Sequence, residues 1–280
     1  MSALLFPVSA ALSGLVGSLL VTALPGGPYL LPATLQPMLL VILKGEIHLE
    51  LPDGSKRRLP RLGLSGATSG VCRASATQGT EILVASVLPG QLPRLLGLPA
   101  SAVMEAFVAL EELLPRASLA ALEEQLASAG NLATRVARCE QFLLELRNAQ
   151  AQQRADLVLP DTWLFRPLDE IATAFGLSPR QLERRFRHSY GQNLRAFRQQ
   201  ARCSRMLVEL VFGRRQFASW ADIATQAGYF DQAHLSRDLR RFTGYAPAHL
   251  GRQLAGEDPA LWPYRLSPEQ VSGLFGAPSF

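Results

Sequence analysis

Arginine, glutamine and serine side chains recur in two segments of the chain that share one pattern. The first segment contains IAT and then GLSPRQLERRFRHSYG, residues 176–191; the second contains IAT and then GYFDQAHLSRDLRRFTG, residues 228–244. In both segments a glycine follows the isoleucine by five residues. Arginine pairs with guanine, glutamine with adenine and serine with either base, while additional arginines bind phosphates. The repeated pattern therefore predicts a surface that binds the DNA major groove.

The positive charge of the chain is concentrated around these segments. Residues 178–215 contain ten arginines against Glu183 and Glu209, a local balance of +8, whereas the whole chain carries +5. Such local basicity indicates a surface that faces a polyanion, although a solvated helical face can have the same composition.

The local residues around each glycine are typical of a helix-turn-helix motif. Gly176 allows the bend in the first copy, after which Ser178 caps the next helix and Gln181 completes a capping box. Gly228 and Asp231 take the bending and capping positions in the second copy. One such hairpin is a weak signal because many helical pairs resemble it, but two copies with arginine-bearing second helices are much more specific.

The segment between the copies, residues 194–211, is predicted to form one helix of about 25 Å. Its apolar stripe consists of Leu194, Phe197, Ala201, Ser204 and Val208. A helix of this length helps to hold two recognition helices about one DNA turn, roughly 34 Å, apart. A second stripe contains Arg195, Arg198, Arg202 and Arg205. Solvation and contact with phosphates are equally good interpretations of that stripe.

The chain preceding these motifs has a different pattern. Residues 25–100 are predicted to be β-rich, with a hairpin in residues 38–59 and a further strand in residues 81–90. The hairpin is expected to turn at Lys44-Gly45 and again at residues 52–54. Apolar residues spaced three and four apart then predict helices in residues 101–114, 118–129 and 131–150.

The helix predicted over residues 131–150 carries an apolar seam with the spacing of two heptads. The seam consists of Leu132, Val136, Cys139, Leu143 and Leu146. Two heptads are short for a coiled coil, which favours packing within the same domain. The alternative is a dimerisation helix, and a homodimer through residues 131–150 stays open as a prediction.

The uncharged run at residues 3–24 could by hydropathy alone be a membrane span or a signal peptide. It lacks a positively charged flank and is interrupted by Pro7, Gly14 and Gly17. Buried strands or core helices explain it better, and we expect a cytoplasmic protein that does not enter the membrane.

Cysteine and histidine give no metal or cofactor pattern. Cys72, Cys139 and Cys203 lie far apart without a CxxC pair, as expected of reduced thiols. The four histidines share no ligand spacing with each other or with the cysteines. We therefore predict neither a metal site nor a cofactor, and no catalytic residues.

These observations predict an α+β fold with a β-rich N-terminal regulatory domain that ends in helices. An all-α domain of two helix-turn-helix motifs joined by a long helix follows. The predicted boundaries are 1–150 for the regulatory, effector or dimerisation domain, 151–166 for a linker, 167–254 for the DNA-binding domain and 255–280 for a tail.

Residues 167–252 resemble the AraC/XylS family of bacterial transcription regulators, and GYFDQAHLSRDLRRFTG closely matches the second motif of one of its subgroups. VLPGQLPRLLGLPASAV, ahead of the helices, more loosely resembles the regulatory domain of that subgroup. The resemblance implies that the base-contacting positions are Arg180, Glu183, Arg184, Gln232, Ala233, Ser236 and Arg237. Glu183 and Ala233 depart from the usual long polar or basic residues: glutamate could accept from cytosine, and alanine could contact a thymine methyl group.

Motif and resemblance together predict the residues that contact DNA. They are Ser178, Arg180, Gln181, Glu183, Arg184, Arg185, Arg187, Arg195, Arg198, Gln232, His234, Ser236, Arg237 and Arg240. Double-stranded DNA is the expected partner, and RNA polymerase and a small-molecule effector are further candidates.

The leading hypothesis is a sequence-specific transcription regulator whose N-terminal domain senses a signal or dimerises. An enzyme with a catalytic N-terminal domain and a DNA-targeting module is the main alternative. It would need a reactive cysteine set, but Cys72 stands alone in GVCRAS without a nearby histidine. A third hypothesis, a DNA-bending protein without a sensor, predicts little sequence preference.

Overall fold

A computed structural model describes residues 3–51, 53–150, 157–211, 219–256 and 258–264. Of the predicted linker and tail, residues 151–156, 257 and 265–280 lie outside this description, as do Pro52 of the second predicted turn and Arg214 and Arg215 of the basic segment.

The N-terminal part is built from two antiparallel sheets. Its strands are β1 (Ala3–Phe6), β2 (Val16–Leu24), β3 (Gly27–Leu31), β4 (Met38–Lys44), β5 (Ile47–Glu50), β6 (Lys56–Arg58), β7 (Leu62–Ser65), β8 (Cys72–Ala76), β9 (Thr80–Val87) and β10 (Phe107–Ala109). One sheet has the order β1-β2-β9-β4-β7-β10 and the other has the order β3-β8-β5-β6.

The six-stranded sheet is covered on both faces. Alternate residues such as Leu19 and Leu83 pack against the helices that follow the sheets, whereas Leu20 and Ile82 pack against the four-stranded sheet. Strands buried on both faces are apolar at nearly every position, rather than at every second one. This double burial explains the apolar character of β2, the second part of the run at residues 3–24, whereas Leu4 and Leu5 of β1 are exposed at the sheet edge. Among the described helices none combines the length and the apolar character that crossing a membrane requires.

Two of the predicted elements are wrong. The turn at Lys44-Gly45 does not close a hairpin, because β4 pairs with β7 and β9 whereas β5 pairs with β6 and β8. It carries the chain from one sheet to the other, with Gly45 at a φ of +78°. The second turn does close a hairpin, between β5 and β6.

The helix predicted over residues 101–114 is also wrong. Short 3-10 turns at Ala100–Ala102 and Leu110–Glu112 flank β10, which pairs with β7 at the sheet edge. Glu105 lies between them with a φ of +61°, a conformation that a continuous helix cannot contain. Pairing with the sheet outweighs the local helical periodicity here.

The other two predicted helices of this part are present, as α2 (Arg116–Ser128) and α3 (Leu132–Ala149). A short helix that the sequence analysis did not predict, α1 (Leu92–Leu96), precedes them. The heptad seam of α3 packs inside its own domain: Val136, Cys139 and Leu143 belong to the buried core, and Leu132 and Leu146 pack against it. The seam is therefore used within the monomer, as the first interpretation expects.

The described residues of the C-terminal part form helices and turns. Its helices are α4 (Leu168–Ala174), α5 (Pro179–Tyr190), α6 (Leu194–Val211), α7 (Trp220–Gln226), α8 (Gln232–Thr243) and α9 (Pro247–Ala255), and 3-10 turns occupy Asp161–Trp163 and Pro259–Tyr264. Helix α6 joins two cores, since Phe197 packs with the first motif and Met206 with the second.

We predict that replacing Leu143 with glutamate lowers the free energy of unfolding by about 3 kcal/mol or more, because a charge would enter a core position that is 2% exposed. Ala137→Glu adds the same charge on the exposed face of α3 and should leave stability nearly unchanged. Urea denaturation compares the two variants. A stable, monomeric Leu143→Glu variant of a dimeric parent would instead identify the seam as an interface.

Candidate nucleic-acid interface

The two helix-turn-helix motifs share the same backbone hydrogen bonds, residue for residue. In the first turn Phe175 N donates to Ile171 O, and Leu177 N donates to Ala172 O. The second turn repeats both bonds 52 residues later. The central glycines, Gly176 and Gly228, have φ angles of +64° and +74°. The duplicated sequence pattern is therefore also a duplicated backbone geometry.

Both recognition helices, α5 and α8, begin at a side-chain cap. Ser178 Oγ accepts from Gln181 N at 3.3 Å while Gln181 Oε1 accepts from Ser178 N at 2.9 Å, which completes the predicted capping box. Asp231 Oδ1 accepts from His234 N at 2.6 Å at the start of α8. These caps fix the first turn of each helix, the part that usually contacts base edges in such motifs.

The inner faces of α5 and α8 are equivalent. Leu182 and Phe186 of α5 and Leu235 and Leu239 of α8 are each 0% exposed. The predicted DNA-contacting residues that are exposed on the outer faces are Ser178, Arg180, Gln181, Arg184, Arg185 and Arg187 in the first motif, and Gln232, Arg237 and Arg240 in the second.

Four of the other predicted residues have contacts within the protein. His234 is half-buried, with its ring edge-on to Tyr229 at a centroid distance of 5.2 Å. Ser236 Oγ donates to Gln232 O at 2.7 Å. Glu183 is half-buried and lies close to Arg198. Burial lowers the pKa of the Arg198 guanidinium, and the negative charge of Glu183 offsets part of that lowering.

The arginine stripe on α6 divides between solvent and protein. Arg195 is exposed. Arg198 donates to the backbone carbonyls of Leu164 and Arg166, and the guanidinium of Arg202 lies 5.7 Å from the ring centroid of Tyr229. Helix α6 thus presents Arg195 outward and uses Arg198 to hold the segment that precedes the first motif.

The N-terminal domain contacts both recognition helices at their C-terminal ends. Gly191, which ends α5, leaves so little room that a Cβ there would lie 3.1 Å from Met104 Sδ. Gly244, which ends α8, leaves a Cβ only 2.7 Å from Leu30. Both glycines have a left-handed φ, and both lie against the β-rich domain.

Hydrogen bonds reinforce the contact at the second motif. Ala33 N donates to Phe242 O at 2.7 Å, and Val71 N donates to Arg241 O at 3.1 Å. Arg241 Nε in turn donates to Ser69 O at 3.1 Å. Sequence reasoning missed this interface, because main-chain groups provide most of its hydrogen bonds and leave no residue-type signal.

A buried glutamine connects the long helix to the same loop. Gln200 is 1% exposed, and its Nε2 donates to Thr68 O at 2.8 Å. Its Oε1 accepts from Gln192 Nε2 at 3.2 Å. A polar residue within the apolar stripe of α6 was the available sequence signal for this contact.

Residues 171–253 match the family model described as a helix-turn-helix domain. No curated protein sequence matches the chain significantly.

Solved structures similar to the chain include ToxT from Vibrio cholerae with a bound unsaturated fatty acid, at 13% identity and a TM-score of 0.45, covering 84% of this chain and 94% of that one. The P21 form of ToxT matches at 12% identity and a TM-score of 0.43, covering 85% and 99%. The AraC-like transcriptional activator CuxR matches at 15% identity and a TM-score of 0.29, covering 65% and 73%.

We predict that Arg198→Ala lowers the free energy of unfolding by about 1.5–3 kcal/mol, because two backbone carbonyls lose charged donors. Arg195→Ala, three residues away and exposed, is the matched control and should change stability by less than about 0.5 kcal/mol. Chemical denaturation measures both. Equal stability of the two variants would show that the Arg198 contacts contribute nothing.

Proposed function

We propose that the protein is a sequence-specific transcription regulator that places α5 and α8 in successive major grooves of double-stranded DNA. The observation that carries this proposal is the duplicated turn geometry, in which each copy exposes a capped, arginine-bearing helix. Helix α6 has 18 residues and spans about 27 Å, a length suited to two helices one DNA turn apart.

We assign base contacts to exposed side chains in the first two turns of each recognition helix. Arg184 and Arg237 take equivalent positions, since each follows a fully buried leucine by two residues. Arginine in this position can donate two hydrogen bonds to guanine O6 and N7. Arg195 is proposed to contact phosphate, whereas Arg198 is assigned to the interior packing of the motif.

The proposed role of residues 1–150 is regulatory. They contact the C-terminal ends of both recognition helices, so a change in this domain can alter the orientation of α5 and α8. The domain boundaries proposed from the sequence stay as given, with the linker at residues 151–166 and the DNA-binding domain at residues 167–254. RNA polymerase and a small-molecule effector are the further partners that such a regulator would engage.

The alternative of a catalytic N-terminal domain gains little support from the geometry around Cys72. Burial raises the pKa of this thiol, and the negative charge of Glu105 raises it further. A raised pKa keeps the thiol protonated at neutral pH, whereas a nucleophilic cysteine needs the thiolate. Within the described residues no three histidine, cysteine or acidic side chains are grouped as metal ligands.

Selection of bound sequences from a random DNA pool tests the base contacts. We expect Arg184→Ala to relax preference at one base pair and Arg237→Ala to relax it about one helical turn away, each at a cost of about 1–3 kcal/mol. Arg116→Ala removes an exposed arginine of the N-terminal domain and is the control. If both variants bind more weakly yet select the parental motif at every position, these arginines contact phosphate instead.

The salt dependence of binding tests the phosphate contact. We expect Arg195→Ala to weaken binding to all DNA sequences alike and to reduce the slope of log affinity against log salt by about 1, because one fewer counterion is released. Fluorescence anisotropy with a specific and a random duplex measures both effects. An unchanged slope would assign Arg195 to solvent.

A further inference from the structure

An apolar cavity of about 170 Å³ lies between the two sheets of the N-terminal domain. Leu20, Leu40 and Ile82 line it from the six-stranded sheet, and Tyr29 and Ile47 line it from the four-stranded sheet. Part of the wall comes from the other end of the chain: Trp262, in the 3-10 turn after α9, lines the same cavity. The cavity is therefore closed by a residue that follows the DNA-binding domain.

The polar groups around the cavity are few, and several are already bonded. Thr68 Oγ1 accepts from Thr34 N at 3.1 Å, and Ser65 Oγ donates to Gly66 O at 3.1 Å. The charged residue in the lining is Glu105, whose Oε1 accepts from Ser69 N at 2.7 Å. No lysine or arginine occurs among the described lining residues. An anionic ligand would therefore leave water to face a carboxylate without a compensating cation. An uncharged apolar ligand has no hydrated charge to lose on entering the cavity.

The size of the cavity limits what enters it without rearrangement. A cavity of roughly 150 Å³ in another protein holds one benzene molecule, so this one has room for about one aromatic ring. A larger ligand must displace part of the wall. Trp262 belongs to the short 3-10 turn Pro259–Tyr264 and not to a strand of either sheet.

The contacts of Trp262 allow an apolar ligand to take the place of its indole ring. The side chain is 5% exposed and meets Tyr29 edge-on at a centroid distance of 5.8 Å. Its indole Nε1 is buried without a hydrogen-bond partner. Release of the indole would return this N–H to water, while an apolar ligand would cover the surface that the ring leaves.

The cavity wall also touches the second recognition helix. Tyr264, two residues after Trp262, lies close enough to Thr243, the last residue of α8, for the Thr243 side chain to lower the pKa of the tyrosine hydroxyl. Thr68, which also lines the cavity, accepts a hydrogen bond from Gln200 of α6 through its backbone carbonyl. A change in the wall is thus transmitted to helices of the DNA-binding domain through direct contacts.

We infer that the cavity binds an uncharged apolar molecule larger than one aromatic ring, and that this ligand competes with Trp262 for the space between the sheets. Binding releases the turn at Pro259–Tyr264 and removes the support that Tyr264 gives to the end of α8. The ligand consequently weakens the hold of α8 on DNA. Only this last effect rests on the proposed function.

Ligand class is tested on the full chain with the uncharged fluorescent probe N-phenyl-1-naphthylamine. We expect the probe to bind, and 1-decanol to displace it at a concentration at least about tenfold lower than decanoate, which has the same chain but a negative charge. Glu105→Gln keeps an oxygen acceptor for Ser69 N but removes the negative charge. This variant should bring the displacing concentrations of decanoate and 1-decanol closer together. Absence of probe binding, or equal displacement by the two competitors, would overturn the assignment.

The displacement of Trp262 is tested in a chain carrying Trp163→Phe and Trp220→Phe, so that Trp262 alone reports. Saturating 1-decanol should shift its emission to longer wavelength and increase its quenching by iodide. Trp262→Ala, which enlarges the cavity, should bind the probe at least about fivefold more tightly, while Trp163→Ala should bind it like the parent. Unchanged Trp262 emission with bound decanol would contradict the competition, even if the alanine variant did not fold.

The effect on DNA is measured separately. With 1-decanol bound, affinity for the selected DNA site should fall at least about fivefold, the lower end of typical allosteric coupling. In the Trp262→Ala chain 1-decanol should change the DNA affinity little, because the cavity wall already lacks the indole ring. If the parent chain binds no DNA at all, the proposed function is rejected, but the results with the fluorescent probe stand. Unaltered DNA affinity with bound decanol would reject the coupling alone.

Discussion

The ends of the two recognition helices are held by the same β-rich domain, and the rest of the arrangement depends on this packing. Gly191 and Gly244 end α5 and α8 in the left-handed conformation, and each lies so close to the N-terminal domain that a Cβ would crowd its neighbours. Helix α6 packs into the cores of both motifs and so links them directly. The shared support is a second link between the motifs, and it leaves the opposite, capped ends of both helices exposed.

The helix-turn-helix part could be predicted closely because its determinants are local. The glycines of the two turns, the caps Ser178 and Asp231, and the stripe of α6 are all recognisable from residue type and spacing. Burial of Leu182 and Leu235 follows directly from the same periodicity. A duplicated local pattern specifies its backbone with little help from distant parts of the chain.

The β-rich part could be predicted only in outline, since pairing between distant strands determined the outcome. Residues 101–114 have helical periodicity, but β10 pairs with β7, more than forty positions earlier, and Glu105 takes a left-handed φ. The turn at Lys44-Gly45 similarly depends on which sheet accepts β5. Arg198 shows the same limit at the interface: its position indicates an outward arginine, yet two carbonyls from an irregular segment bind it.

The interface between the domains has a further property, because main-chain atoms make its central hydrogen bonds. Ala33 N and Val71 N donate to the carbonyls of Phe242 and Arg241 whatever side chains these positions carry. Changes of side chain at these four positions consequently leave the two hydrogen bonds available, except where proline replaces a donor. Gly191 and Gly244 are different, because a Cβ at either position would crowd the N-terminal domain. Most positions of the N-terminal domain can thus change without loss of these two bonds, and the evolvability of its sequence becomes largely independent of its contact with α8.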